Sequence, residues 1–177
     1  QSNQTLLVTD AVLRDFTLAD TGTGTTGMKI GTFRWCEVSD VWVYGFSGSQ
    51  ISLDRHDAAI ANFFNTFSRV LIGDPYGAAA GATVGLQVGL AAGNDANSNW
   101  FFGISIYNMV TGLSIEKSVG SEFYGVFVAG CTTGLSVTGG ASTLNNEIHI
   151  YLESNTTQGT IATGVINNRI SAWLDGG

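Results

Sequence analysis

The stretch Phe101-Phe102-Gly103-Ile104-Ser105-Ile106 decides the fold, because the chain repeats it. It returns as Phe123-Tyr124-Gly125-Val126-Phe127-Val128, as Asn145-Asn146-Glu147-Ile148-His149-Ile150 and as Asn167-Asn168-Arg169-Ile170-Ser171-Ala172. Each copy starts twenty-two residues after the one before. Looser copies lie upstream: Leu13-x-x-Phe16-x-Leu18, Val38-x-x-Val41-x-Val43 and Phe67-x-x-Val70-x-Ile72. A fixed period of this size marks a solenoid, in which each repeat packs only on its neighbours. Within a copy the apolar residues alternate, which is the period of a strand and not of a helix.

A second motif follows most copies. It reads Gly27-Met28-Lys29-Ile30, Gln50-Ile51-Ser52-Leu53, Gly85-Leu86-Gln87-Val88, Gly112-Leu113-Ser114-Ile115 and Gly134-Leu135-Ser136-Val137. Each coil therefore holds at least two short strands joined by a turn. With 24 glycines and 12% charged residues, the chain lacks the Ala, Leu, Glu and Lys that a helical repeat draws on. The expected fold is all-β: a right-handed parallel β-helix of about seven coils of ~22 or more residues. It is read as one domain over residues 1–177, a segment of a larger protein.

Composition narrows the partners. The formal charge is -7, and the seven Lys and Arg are scattered. A phosphate backbone needs clustered cations, so no nucleic acid is expected. The apolar stretch Gly77–Gly93 is rich in Ala and Gly and is interrupted by Gln87, so it reads as an enlarged loop leading into a strand, and no membrane insertion is expected. Cys36 and Cys131 fall in the second and fifth coils. At about 4.8 Å per rung they are too far apart for a disulfide, so two free thiols are expected.

Stacking the copies sorts side chains into columns. Phe16, Val41, Val70, Ile104, Val126, Ile148 and Ile170 form one inward column. Leu18, Val43, Ile72, Ile106, Val128, Ile150 and Ala172 form a second. Asn145 and Asn167 are expected to make an asparagine ladder at a turn. Asp40–Arg69 and Glu147–Arg169 are expected to pair between neighbouring coils. Lys29, Ser52, Gln87, Ser114 and Ser136 point outward as a solvated flank. On the other sheet Trp42, Tyr44, Leu71, Tyr107, Phe127, Tyr151 and Trp173 point outward together, as a contact surface would. Residues 73–80 and 93–99 read as loops emerging from the solenoid.

Thr133-Gly134-Leu135-Ser136-Val137, followed by Asn145-Asn146-Glu147-Ile148-His149-Ile150, resembles the coils of bacteriophage tailspikes and the wider pectate-lyase-like β-helix superfamily. The resemblance runs from Leu13 to Trp173. It implies a homotrimeric virion-tail adhesin that contacts bacterial surface polysaccharide, with a bacterial cell-surface or secreted protein as the other setting. The expected role is structural and receptor-binding. The alternative is a polysaccharide depolymerase, a glycoside hydrolase or a lyase.

Catalysis would need paired carboxylates. Asp54 follows Leu53 and Glu116 follows Ile115 at the same place two coils on, with Gly89 between them leaving room for a sugar. The cluster Asp54-Arg55-His56-Asp57 is the densest polar run and reads as a solvated corner. Neither His56 nor His149 has the neighbours of a zinc site, so no metal and no cofactor are expected.

Overall fold

Alternating short strands build the predicted coil. A computed structural model describes residues 8–20, 24–31, 33–54, 62–77, 83–90 and 96–175. The first turn runs through β1 (Val8–Thr9), β2 (Val12–Ala19) and β3 (Thr26–Ile30). The second runs through β4 (Phe33–Arg34), β5 (Glu37–Tyr44) and β6 (Ser49–Leu53), and the third through β7 (Asn62–Phe63), β8 (Thr66–Ile72) and β9 (Val84–Val88). The fourth holds β10 (Ala96–Asn97), β11 (Trp100–Tyr107) and β12 (Thr111–Ile115). Then come β13 (Glu122–Ala129) and β14 (Thr133–Val137), β15 (Glu147–Glu153) and β16 (Thr157–Ile161), and finally β17 (Arg169–Asp175). Equivalent strands pair in parallel, giving a four-stranded, a seven-stranded and a six-stranded sheet. The chain is therefore a parallel β-helix of six turns plus a closing strand. In the last turns the short sheet shrinks to single bridges linking Val119, Leu144 and Ile166.

The lumen is dry. Val38, Phe67, Phe101, Phe123 and Ile148 stack in the first inward column of the large sheet, each at most 1% exposed. The Phe67, Phe101 and Phe123 rings lie nearly parallel, 4.9 and 4.5 Å apart. Met28, Ile51, Leu86, Leu113 and Leu135 face them from the other long sheet. The glycine opening that sheet's motif is required by this approach. A β-carbon at Gly112 would run into Val128 Cγ1 and Gly134 O, and one at Gly85 into Ile106 Cγ2. Cys36 and Cys131 are buried free thiols, as the rung count requires.

Register departs from the sequence reading in one place. Val126 and Ile148 do sit on adjacent strands, but Val126 faces Ile150, and Ile148 faces Phe123. The second inward column thus ends Val128, Leu152, Leu174, and Ile150 and Ala172 belong to the column of Val126. Two irregularities cause the slip. A 3-10 turn at Gly140–Ser142 adds three residues to the fifth turn. The larger strands also carry a left-handed residue in mid-strand, at Asp15, Asp40, Arg69, Gly103 and Gly125, and β15 drops it.

The asparagine ladder is displaced by one residue. Asn145 and Asn167 take left-handed backbone (φ 55° and 53°) at the coil corner. Their neighbours Asn146 and Asn168 carry the hydrogen bonds instead, with Asn146 Nδ2 donating to Asn168 Oδ1 at 2.8 Å. The same column continues back through Ser121 and Asn99 to Asn65, whose Nδ2 donates to Asn99 Oδ1 at 2.9 Å. Buried backbone groups at a corner need such partners, and a short amide supplies both a donor and an acceptor. The predicted loop at 93–99 likewise becomes structure: Ala96–Asn97 pairs with Asn62–Phe63 and Ala96 is fully buried. Residues 93–95 of that loop and 78–80 of the other lie outside the described residues. Asn108 ties down the described part of the 73–80 loop, donating from Nδ2 to Asp74 O and Gly77 O at 2.7 and 2.8 Å.

Candidate functional site

The outer face of the seven-stranded sheet carries the predicted contact surface, regrouped by the register slip. Thr17, Trp42, Leu71, Ser105, Phe127, Tyr151 and Trp173 form one continuous column, and Tyr44 and Tyr107 stand beside it. Rings touch both across rungs and along a strand. Phe127 and Tyr151 stack with centroids 5.5 Å apart and planes 12° from parallel. Tyr107 lies 5.5 Å from Phe127, and Trp42 lies 4.6 Å from Tyr44. Trp42 Nε1 donates to Gly73 O at 2.8 Å. Stacked rings cover one another's faces and leave edges outward, so the column resembles half of a packed interface more than a row of open rings. Trp173, on the last strand, is 62% exposed.

A polar network borders this face. Arg69 makes the predicted pair with Asp40, and the structure shows it to be two-pronged, Nε to Oδ1 at 2.7 Å and Nη2 to Oδ2 at 2.6 Å. The hydrogen bonds from Arg69 hold the Asp40 carboxyl below its usual range. Glu147 forms the other predicted pair, with Arg169 Nη1 at 3.5 Å, and its Oε1 also lies 3.0 Å from His149 Nε2. The His149 and Tyr124 rings stack at 4.8 Å. The His149 contact, aided by Tyr124 and Arg169, holds the Glu147 carboxyl low, while burial and Glu147 push the Tyr124 phenol up.

Asp54 and Glu116 do follow stacked residues, since Leu53, Val88 and Ile115 face one another in register. Each acid is engaged by the coil before it. Lys29 Nζ lies 3.1 Å from Asp54 Oδ2, and Gln87 Nε2 donates to Glu116 Oε1 at 3.0 Å. Asp54 is 2% exposed. At Gly89 a β-carbon would run into the Lys117 carbonyl oxygen, so the next coil's close approach requires the glycine. The flank expected to be solvated is only partly so: Ser52, Gln87 and Ser114 are buried, Gln87 bridging Ser49 and Glu116, while Lys29 is exposed and Ser136 half-buried. Arg55, His56 and Asp57 lie outside the described residues. Among the described residues no group of three or more His, Cys, Asp or Glu is placed to hold a metal, and no helix is long and apolar enough to cross a membrane.

One constellation has no counterpart in the sequence reading. Asp10, Trp35, Phe64, Ser98, Gly120, Asn145 and Asn167 occupy one corner column, all with φ between 50° and 67°. Five are short or flexible residues that tolerate this conformation. Trp35 and Phe64 are not, and for a bulky side chain the left-handed region costs about 1–2 kcal/mol. Both rings are exposed, 57% and 40%, and stack with centroids 5.9 Å apart. They wall an open groove of about 450 Å³ that also takes in Asp10, Val12, Glu37 and Thr66. A signal did exist: the residue before each of Cys36, Asn65, Asn99, Ser121 and Asn146 is the corner, and two of those residues are large aromatics.

No family model, curated protein or solved structure matches this chain, so the architecture and its side chains carry the functional reading alone.

Proposed function

We propose that the chain is the β-helical shaft of a tailspike-like adhesin, a homotrimer in the virion tail that contacts bacterial surface polysaccharide. Its role is structural and receptor-binding rather than catalytic. The observation that carries this reading is the outer column from Trp42 through Leu71, Phe127 and Tyr151 to Trp173 on the seven-stranded sheet, apolar or aromatic at every rung but Ser105. A largely apolar strip spanning roughly 24 Å of stacked rungs is large for a lone surface and suits packing against copies of itself around a threefold axis.

Sedimentation equilibrium tests the assembly. The expected mass is three times the 18.6 kDa chain at micromolar concentration. The double variant Phe127→Asp, Tyr151→Asp should sediment as a monomer and keep its β-sheet circular dichroism. A monomeric parent chain would overturn the reading. Binding of the labelled trimer to extracted bacterial surface polysaccharide, absent for a scrambled-surface control, tests the receptor contact.

A further inference from the structure

The corner groove around Trp35 is built at the expense of the backbone that holds it, and this points to a ligand. A coil corner that needs left-handed backbone is best served by Gly, Asn or Asp, which this chain uses in the same column at Gly120, Asn145, Asn167 and Asp10. At Trp35 and Phe64 (φ 53° and 58°) it places two large apolar rings there and leaves them partly exposed, Trp35 the more so. Stacking of Trp35 on Phe64, and of Phe64 on Trp100 at 6.2 Å, offsets part of that cost, but Trp35 has a ring partner on one side only and keeps more than half of its surface in solvent. Strain of this kind, seen in the structure first, is where functional sites are sought.

The groove's chemistry narrows the ligand. Trp35 is stacked on Phe64, one rung along, so its opposite face looks toward the rung that carries Asp10. Glu37 and Thr66 continue the groove along the start of the large sheet. Asp10 and Glu37 are both exposed, and neither has an ion-pair partner among the described residues. No Lys or Arg lines the groove. Two carboxylates accept hydrogen bonds and donate none, whereas a sugar hydroxyl presents both functions and wants both in return. The group that matches two acceptors and an open aromatic face is a cation carrying only donors, an alkylammonium or a guanidinium. The net charge of -7 adds long-range attraction for such a group.

We infer that this groove binds a basic side chain, lysine or arginine, of a partner polypeptide, seated on Trp35 with its charge between Asp10 and Glu37. The groove is an open trough rather than a closed cavity, which admits a side chain presented on a chain. The site stands at the corner between the short sheet and the large one. It does not depend on the trimer or on polysaccharide contact.

The experiment is a calorimetric titration of the intact chain with a tetralysine peptide, with tetraglutamine and a neutral glucose oligosaccharide as comparison probes. The expected result is one tetralysine per chain, weakened at least tenfold by Trp35→Gly and by the double variant Asp10→Asn, Glu37→Gln. A double variant removing the same charge elsewhere, Asp74→Asn with Glu153→Gln, should bind as the parent does. Trp35→Gly should also change the Tm little, since relief of the left-handed strain offsets the stacking on Phe64 that is lost. Equal weakening by the remote pair, no effect of Trp35→Gly, or binding of the oligosaccharide in place of tetralysine would each overturn the inference. A clear fall in Tm for Trp35→Gly would make the ring a packing residue and remove its premise. The carboxylate variant changes only exposed side chains and remains readable if the glycine variant folds poorly.

Discussion

Phe101→Ala will lower the stability of the chain by about 3–5 kcal/mol, the range for truncating a fully buried aromatic core residue. Phe101 is 0% exposed and sits between two parallel rings, Phe67 at 4.9 Å and Phe123 at 4.5 Å. The cavity left behind cannot close by collapse, because hydrogen-bonded pairing of Trp100 and Phe102 with the strands on either side sets the rung spacing. At about 2–4 °C per kcal/mol for a chain of this size, the Tm falls by roughly 6–20 °C. Phe101→Leu refills most of the space and should cost about 1.5 kcal/mol or less. Phe102→Ala, one residue along at a site 40% exposed, should change stability by under about 1 kcal/mol. Urea denaturation of the three variants separates these outcomes. A loss below about 1 kcal/mol for Phe101→Ala would mean that the lumen is loosely filled.

The contrast between Phe101 and Phe102 was not legible in alternation, which counts back from Ile106 and Ile104 to Phe102; the left-handed Gly103 turns Phe101 inward instead. Alternation does assign inside and outside downstream of that residue, and it gives the two columns that start at Phe16 and Leu18 as far as Val126 and Val128. The pairs Asp40–Arg69 and Glu147–Arg169 followed from the same columns. What alternation cannot count is insertions that compensate. Phe123 and Asn145 are twenty-two residues apart, and so are Asn145 and Asn167, yet only the second pair is one turn of equivalent corners. In the fifth turn the three residues of Gly140–Ser142 are added and one mid-strand residue is lost. The result moves Tyr151 and Trp173 into the column of Phe127, which makes the proposed contact strip continuous. The groove at Trp35 and Phe64 escaped for a different reason. Alternation sees apolar residues as inward or outward on a strand, and a left-handed corner is neither, so its two rings carried no pattern.

The two adjacent asparagines of the sixth turn offer the sharpest check on that correction, because the alternative registers assign the burden to different residues. Asn146 is 1% exposed. Its Oδ1 accepts from Ser121 N at 2.9 Å and from Ser118 Oγ at 3.0 Å, and its Nδ2 donates to Ser118 O at 2.9 Å and to Asn168 Oδ1. Asn146→Ala deletes all four bonds and strands a buried backbone N–H at Ser121. Each unsatisfied buried group costs about 1–3 kcal/mol, so the expected loss is about 3–5 kcal/mol, with water entry into the corner limiting the total. Asn146→Asp restores the acceptor but offers one donor when protonated and none when ionised, against the two of the amide, so it should recover only part of the loss, and less as pH rises and the buried carboxylate ionises. Asn145 is exposed and contributes its backbone conformation instead, φ 55°. Asn145→Gly should therefore be neutral to within about 0.5 kcal/mol, since glycine adopts that conformation freely. Thermal melts of the two variants side by side decide the matter. Should Asn145→Gly prove the costly change and Asn146→Ala the mild one, the ladder would stand one residue earlier and the slip in register between β13 and β15 would be wrong.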